Sequence, residues 1–152
     1  MAEVLFYHLE RRTLDDVLPG LVDKSLKRNW RVLIRTESAD RAAAIDSLLW
    51  TYSEQSFLPH AQLGDGESAR QPVLISVEEE NINHAQILFL VGGATLSSWE
   101  TGPGLERIVL LFDGRDGDAV ATARAGWRTA KEAGHDVTYW KETPGGKWEK
   151  QG

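Results

Sequence analysis

A chain of 152 residues is long enough to fold around one hydrophobic core without disulfide or metal crosslinks. It contains no cysteine, which excludes disulfides, thiolate metal sites and cysteine nucleophiles, and which suits a reducing cytosol. Its net charge of −6 argues against broad nucleic-acid binding, because contacts with phosphates need clustered lysine and arginine.

The N-terminus does not have the pattern of a signal peptide, because Glu3 stands where basic residues would be expected. No apolar run approaches the roughly 20 residues that a membrane-spanning helix needs. We therefore expect a soluble, cytoplasmic protein with a single domain over residues 1–152 and a polar tail from about residue 142.

Short apolar runs along the chain predict strands at residues 4–7, 31–35, 73–75, 87–91, 107–112 and 137–140. Helical periodicity predicts helices at 15–28, with Pro19 in the first turn, at 38–50, with Ser38 as cap, and at 116–133, ended by Gly134. The segment between the second helix and the third strand is predicted to be mostly loop.

The order of these elements predicts an α/β fold. The first strand, helix and second strand form a βαβ unit with a parallel pair of strands. The apolar runs are continuous instead of alternating, which indicates strands that are covered on both faces. We therefore expect a single-domain, three-layer α/β fold, with a mostly parallel sheet and helices on both faces.

The sequence contains no pattern that indicates catalysis. The turn after the first strand, residues 8–13, has no glycine, whereas nucleotide sites need glycines there to bring backbone amides close to phosphate. Gly92-Gly93 is best interpreted as a turn. The four histidines lack metal-ligand spacing, and no serine lies in a nucleophile elbow.

The last predicted helix, residues 116–133, has two distinct stripes at about 100° per residue. One stripe has only small side chains and would let the helix lie close to the sheet: Ala119, Ala123, Gly126, Ala130 and Ala133. The neighbouring stripe combines apolar, aromatic and cationic side chains: Val120, Arg124, Trp127, Arg128 and Lys131. An acidic peptide with an apolar tip could bind to this second stripe.

Arg124 and Arg128 are one turn apart, so both guanidinium groups can reach one carboxylate, with Trp127 as an apolar wall. In the alternative interpretation, which the pattern alone favours, the arginines are solvated charges paired with nearby carboxylates and Trp127 completes the core. Those carboxylates would be Asp116, Asp118 and Glu132.

The segment 48–60, Leu-Leu-Trp-Thr-Tyr-Ser-Glu-Gln-Ser-Phe-Leu-Pro-His, resembles the signature of DNA polymerase III chi subunits. In that signature a leucine-tryptophan helix end is followed by a Ser-Phe-aliphatic-Pro-His turn. The turn at residues 112–114 and the pairs Ala123-Arg124 and Trp127-Arg128 support the resemblance, which covers nearly the whole chain. The segment could be a partner surface, but packing of its loop against the core is the favoured interpretation.

The resemblance implies a Rossmann-like sheet without a cofactor. Chi subunits bind the C-terminal tail of single-stranded DNA-binding protein, an Asp-rich peptide that ends in Pro-Phe, and can bind a psi subunit that anchors them to the clamp loader. By motif, the tail-binding positions fall on Arg124, Trp127 and Arg128. Val120 stands where some relatives have another basic residue, and Trp127 where they have tyrosine. No residue is matched to the psi interface.

The expected function is therefore that of a non-catalytic, replisome-associated adaptor subunit of DNA polymerase III holoenzyme. Its expected tail site consists of Arg124, Trp127, Arg128, Val120 and Lys131. The expectation includes no cofactor, no metal, no membrane contact and no direct nucleic-acid partner. The alternatives are a nucleotide-binding Rossmann-like enzyme and a subunit that binds single-stranded DNA directly.

Overall fold

The computed structural model describes residues 3–10, 12–51, 61–62, 72–78, 81, 83–94, 105–145 and 147–151. These ranges contain the strands β1 (Glu3–Leu9), β2 (Val32–Arg35), β3 (Ala61–Gln62), β4 (Val73–Ser76), β5 (Ile87–Leu90), β6 (Arg107–Asp113), β7 (Asp136–Glu142) and β8 (Trp148–Lys150). They also contain the helices α1 (Leu14–Lys27), α2 (Ala39–Thr51) and α3 (Gly117–Glu132). Within the described ranges, no helix combines the length and the apolar character needed to span a bilayer.

The strands form one sheet in the order β3-β4-β2-β5-β6-β1-β7-β8. All neighbouring strands are parallel except β7 and β8, which are antiparallel. The predicted α/β fold with a mostly parallel sheet is confirmed. The predicted pairing of β1 with β2 is wrong, because β5 and β6 lie between them. Helix α1 thus crosses over two strands that are supplied later in the chain.

The helices cover both faces of the sheet, as predicted. Along β1, Leu5 and Leu9 belong to a core cluster that includes residues of α1 and α2. Val4 and Phe6 point the other way, into a second cluster that includes residues of α3. The continuous apolar runs of the central strands follow from this arrangement, since each of their faces is buried.

Capping residues mark the start of α2 and both ends of α3. The backbone N–H of Arg41 donates to Ser38 Oγ over 3.2 Å, which confirms Ser38 as the cap of α2. Asp116 accepts from the first amides of α3, at Asp118 and Ala119. Gly134 follows α3 with a φ of 88°, a left-handed conformation that a side chain would disfavour.

Helix α1 begins one residue earlier than predicted. Thr13 and Asp16 form a capping box, in which each side chain accepts from the backbone N–H of the other. Pro19 is consequently the sixth residue of α1 and lies in its second turn, not in the first turn as predicted. Its ring is buried in the helix interior, where proline removes one backbone donor.

The C-terminal segment contains a strand that the sequence analysis does not predict. β8 pairs with β7 in register, with Trp140 opposite Lys150 and Glu142 opposite Trp148. Trp148 packs against the core cluster of α1 and α2. Residues 148–150, Trp-Glu-Lys, have one apolar side chain among two charges, so they carry too weak a pattern to predict a strand.

Candidate functional site

Helix α3 lies against the sheet through its small side chains. Ala123 and Ala130 are 1% and 0% exposed, and Ala119 packs against the same core cluster. The predicted small-residue face is therefore observed along most of the helix. Ala133 does not belong to it, because this residue caps the C-terminus of α3 and is exposed.

The outer stripe of α3 borders a shallow pocket of about 290 Å³, which we call the α3 pocket. Arg124, Trp127 and Arg128 line it from the helix, Tyr139 from β7, and Gln151 from the segment after β8. The structure thus brings together three of the five residues predicted for the tail site. It adds Tyr139 and Gln151, which the sequence analysis did not single out.

The two arginines of the α3 pocket are exposed and carry uncompensated charge within the described part of the chain. No ion pair joins either guanidinium group to a described carboxylate. In particular, neither pairs with Asp116, Asp118 or Glu132, so the alternative in which those carboxylates satisfy the arginines is not observed. Two donors one helical turn apart can bind one carboxylate from outside.

Trp127 serves both the core and the pocket. Its indole ring is partly buried against the core cluster under α3 while lining the α3 pocket. Its Nε1 atom is buried without a hydrogen-bond partner among the described residues. Lys131 Nζ lies 4.5 Å from the ring centroid, a cation–π contact. The core-packing interpretation of Trp127 is therefore correct, and it does not exclude a role as the pocket wall.

Val120 and Lys131 lie next to the α3 pocket instead of among its described lining residues. Val120 is partly buried against the sheet, which makes it a support for the helix. Lys131 covers the Trp127 ring. Its ammonium group therefore lies beside the ring that forms one wall of the pocket.

Tyr139 is held rigidly by aromatic and polar contacts from β1 and β6. Its ring stacks on Phe6 at a centroid distance of 6.4 Å and meets Phe112 edge to face at 6.0 Å. Its hydroxyl group is hydrogen-bonded to His8 Nδ1 over 2.6 Å, and His8 Nε2 is 2.7 Å from a Glu10 carboxylate oxygen. A neutral imidazole that donates from Nε2 to Glu10 accepts from the tyrosine at Nδ1.

Burial raises the pKa of Tyr139 above its ordinary value of 10.0, while the charge of Arg124 lowers it and that of Glu10 raises it. As the pH rises, the Tyr139 hydroxyl group ionises in the unfolded chain before it ionises in the folded protein. Its contribution to the free energy of unfolding is therefore complete below about pH 10 and is lost as the pH rises through the pKa of the folded state. We expect the urea concentration at the midpoint of unfolding to fall less steeply above about pH 10 in Tyr139→Phe than in the unmodified protein. An equally steep decline in both proteins would contradict this prediction.

A larger crevice of about 720 Å³ lies at the carboxyl-terminal edge of the sheet, which is the usual ligand position in open α/β sheets. The first amides of α1 and α3 are already bonded to Thr13 and Asp116. The backbone N–H of Arg115 donates to Asp113 and lowers the pKa of that carboxyl below 3.8. In the described part of the chain, five carboxylates and three arginines line the crevice, so its net charge does not favour a phosphate: Asp15, Glu37, Asp113, Asp116, Asp118, Arg12, Arg41 and Arg115.

Gly92 and Gly93 form a turn at the edge of this crevice, as predicted, with φ angles of 59° and 86°. A Cβ atom at either position would approach the side chain of Arg41 or Glu37 to within 3 Å. These glycines thus fit a tight turn between neighbouring side chains. Among the described residues, no group of three or more histidine, aspartate or glutamate side chains could hold a metal ion.

Comparison with known proteins agrees with the resemblance inferred from the sequence. Residues 1–138 match the sequence model of the family described as DNA polymerase III chi subunit, HolC. The chain belongs to the DNA polymerase III chi subunit family. It is also 29% identical over 91 residues to the probable DNA polymerase III subunit chi of Rickettsia prowazekii (strain Madrid E). That alignment spans 60% of this chain and 55% of the relative's own length.

The match to the chi family includes α3 with its two arginines and Trp127, and it ends one residue before Tyr139. The end of β7, all of β8 and Gln151 lie beyond it. Of the signature segment 48–60, residues 52–60 lie outside the described residues, so both interpretations of that segment stay predictions.

Proposed function

We propose that this member of the chi family is a non-catalytic adaptor subunit of DNA polymerase III holoenzyme. It binds the acidic C-terminal tail of single-stranded DNA-binding protein and links that protein to the clamp loader. The proposal treats residues 1–152 as one functional domain. The observation that carries it is the α3 pocket, where Arg124 and Arg128 stand without a described carboxylate partner beside the rings of Trp127 and Tyr139.

The chemistry of the α3 pocket suits a peptide that ends in an aromatic residue. The terminal carboxylate pairs with the two guanidinium groups, and the terminal phenylalanine packs between Trp127 and Tyr139. Acidic residues further from the terminus interact with Lys131. A charge-assisted hydrogen bond and a buried apolar side chain each contribute about 1.5–3 kcal/mol. After the cost of ordering a flexible tail, an affinity near micromolar is expected, about −8 kcal/mol.

The charge distribution supports an adaptor over a protein that binds DNA directly. The chain has a net charge of −6, so an acidic ligand needs positive charge that is concentrated locally. Arg124, Arg128 and Lys131 provide it on one face of α3. A short acidic tail can reach this face, whereas a long phosphate backbone would also approach the acidic remainder of the surface.

Calorimetric titration with the acidic tail peptide tests the proposal. We expect Arg128→Ala to weaken binding by about 10- to 100-fold, because one charge-assisted contact with the terminal carboxylate is lost. Added salt should weaken binding by the unmodified protein. The matched control is Arg28→Ala, which removes the same charge from an exposed arginine that stacks on Trp30, outside the pocket.

The control variant should bind the peptide as the unmodified protein does, and a peptide without its last two residues should bind to neither. Undiminished binding by Arg128→Ala would show that the site is misassigned. Binding of single-stranded oligonucleotides in place of the peptide would favour the direct DNA-binding alternative.

A further inference from the structure

The C-terminal hairpin, formed by β7, β8 and their connection, carries Gln151 to the α3 pocket. The backbone N–H of Gln151 donates to the carbonyl oxygen of Tyr139 over 2.7 Å. The connection is closed by the N–H of Thr143, which donates to Lys147 O over 2.7 Å. The N–H of Lys147 donates in turn to Thr143 Oγ1 over 3.1 Å. Gln151 therefore lies beside Tyr139 through backbone bonds.

The C-terminal hairpin is anchored to the first strand and to the turn that follows it. The Trp148 ring lies 4.7 Å from that of Tyr7, and the Arg12 guanidinium group lies 5.3 Å above the Trp148 ring. The buried Glu142 carboxylate accepts from the backbone N–H groups of Glu10 and Arg12. These contacts hold the hairpin, and with it Gln151, in place.

The α3 pocket offers donors in excess. Arginine side chains have no acceptor, the indole N–H of Trp127 is buried, and the Tyr139 hydroxyl group is bonded to His8. A peptide that binds in extended form brings backbone N–H groups that need acceptors when they leave water. Two side-chain acceptors are found among the described residues that line the pocket. The Tyr139 hydroxyl oxygen is already engaged with His8, whereas the Gln151 carboxamide oxygen has no described partner, since only its Nε2 is bonded, to Glu149 O at 3.4 Å.

We infer that Gln151 is a positioning residue of the α3 pocket. Its carboxamide oxygen accepts a hydrogen bond from a backbone N–H of the bound acidic peptide. This inference rests on the proposed tail binding. In it, the C-terminal hairpin aligns the backbone of the bound peptide. The hairpin residues from Tyr139 onward lie beyond the part matched to the chi family. The arginines thus bind the carboxylate, and Gln151 sets the direction in which the peptide leaves the pocket.

The test is calorimetric titration of the full chain with the acidic tail peptide. We expect Gln151→Ala to weaken binding by about three- to tenfold, the effect of one neutral hydrogen bond. The matched control is Gly145→Ala in the same hairpin, where an added Cβ meets only Thr143 Oγ1, at 3.9 Å. It should bind the peptide unchanged. Equal binding by Gln151→Ala and the unmodified protein would overturn the inference.

A second arm separates a direct bond from a structural effect. Peptides that are N-methylated singly at each of the last four residues remove one backbone donor at a time. One of them should lose affinity for the unmodified protein and lose much less for Gln151→Ala. Equal losses in both proteins for every peptide would overturn the direct bond. If Arg128→Ala weakens binding and Gln151→Ala does not, only this inference fails. If the unmodified protein binds no peptide, the proposed function fails as well.

Discussion

Replacing Glu142 with glutamine is expected to lower the free energy of unfolding by about 2–3 kcal/mol. The Glu142 side chain is 0% exposed, and it binds Arg12 Nε over 2.6 Å as well as two backbone N–H groups. Glutamine has nearly the same shape, but it is uncharged, and its NH₂ group would face donors. The loss stays below that of a fully buried pair because the Arg12 side chain is 41% exposed and can be hydrated.

Urea denaturation followed by tryptophan fluorescence measures this loss. Glu149→Gln is the matched control, because it removes the same charge from an exposed position in the same hairpin, opposite Lys141. The control should change stability by less than about 0.5 kcal/mol. Equal urea midpoints for the two variants would show that the buried carboxylate contributes no more than a surface charge.

Gly114→Ala is expected to cost about 2–4 kcal/mol of stability, combining overpacking with the loss of a buried hydrogen bond. A Cβ atom at Gly114 would lie 1.9 Å from His8 Nε2 and 2.9 Å from the carbonyl oxygen of Leu9. His8 cannot move aside freely, because it is buried and bonded to both Tyr139 and Glu10. The variant must therefore displace His8 and with it the hydroxyl group of Tyr139.

Gly117→Ala is the control for this substitution, since an added Cβ at the first residue of α3 meets no atom within 4 Å. Thermal denaturation should show a clear decrease for Gly114→Ala and no decrease for the control, because alanine has the higher helix propensity. Titration with the tail peptide should also show weaker binding by Gly114→Ala. An unchanged melting temperature for Gly114→Ala would contradict this prediction, because His8 would then adopt another conformation without loss of stability.

The sequence allowed most strands and the ends of the helices to be predicted. The central strands are apolar on both faces and give continuous runs, and Asp116 and Gly134 mark the ends of α3 chemically. The pairing of β1 with β2 could not be predicted in the same way. Crossover rules give the direction and handedness of a βαβ unit, but not whether later strands insert between its two strands.

The arginine and tryptophan half of the α3 pocket was predictable because it lies on one helix with a regular repeat. The other half was not. Tyr139 could have been found from strand alternation, since it lies with Val137 on the face of β7 that is turned toward α3. Gln151 and Glu142 gave no signal, because polar residues are usually solvated, and the positions of these two depend on β8.

The small-residue face of α3 has a consequence for the rate at which a partner is captured. Since Ala123 and Ala130 let the helix backbone pack closely on the side chains of the sheet, the spacing between the arginine positions and β7 is set by a buried contact. The wall of the α3 pocket is therefore preorganised. In the proposed complex, the loss of conformational entropy on association would fall mainly on the tail peptide and on the two exposed arginine side chains. Such a surface would need no rearrangement before it captured the proposed tail, which favours fast association.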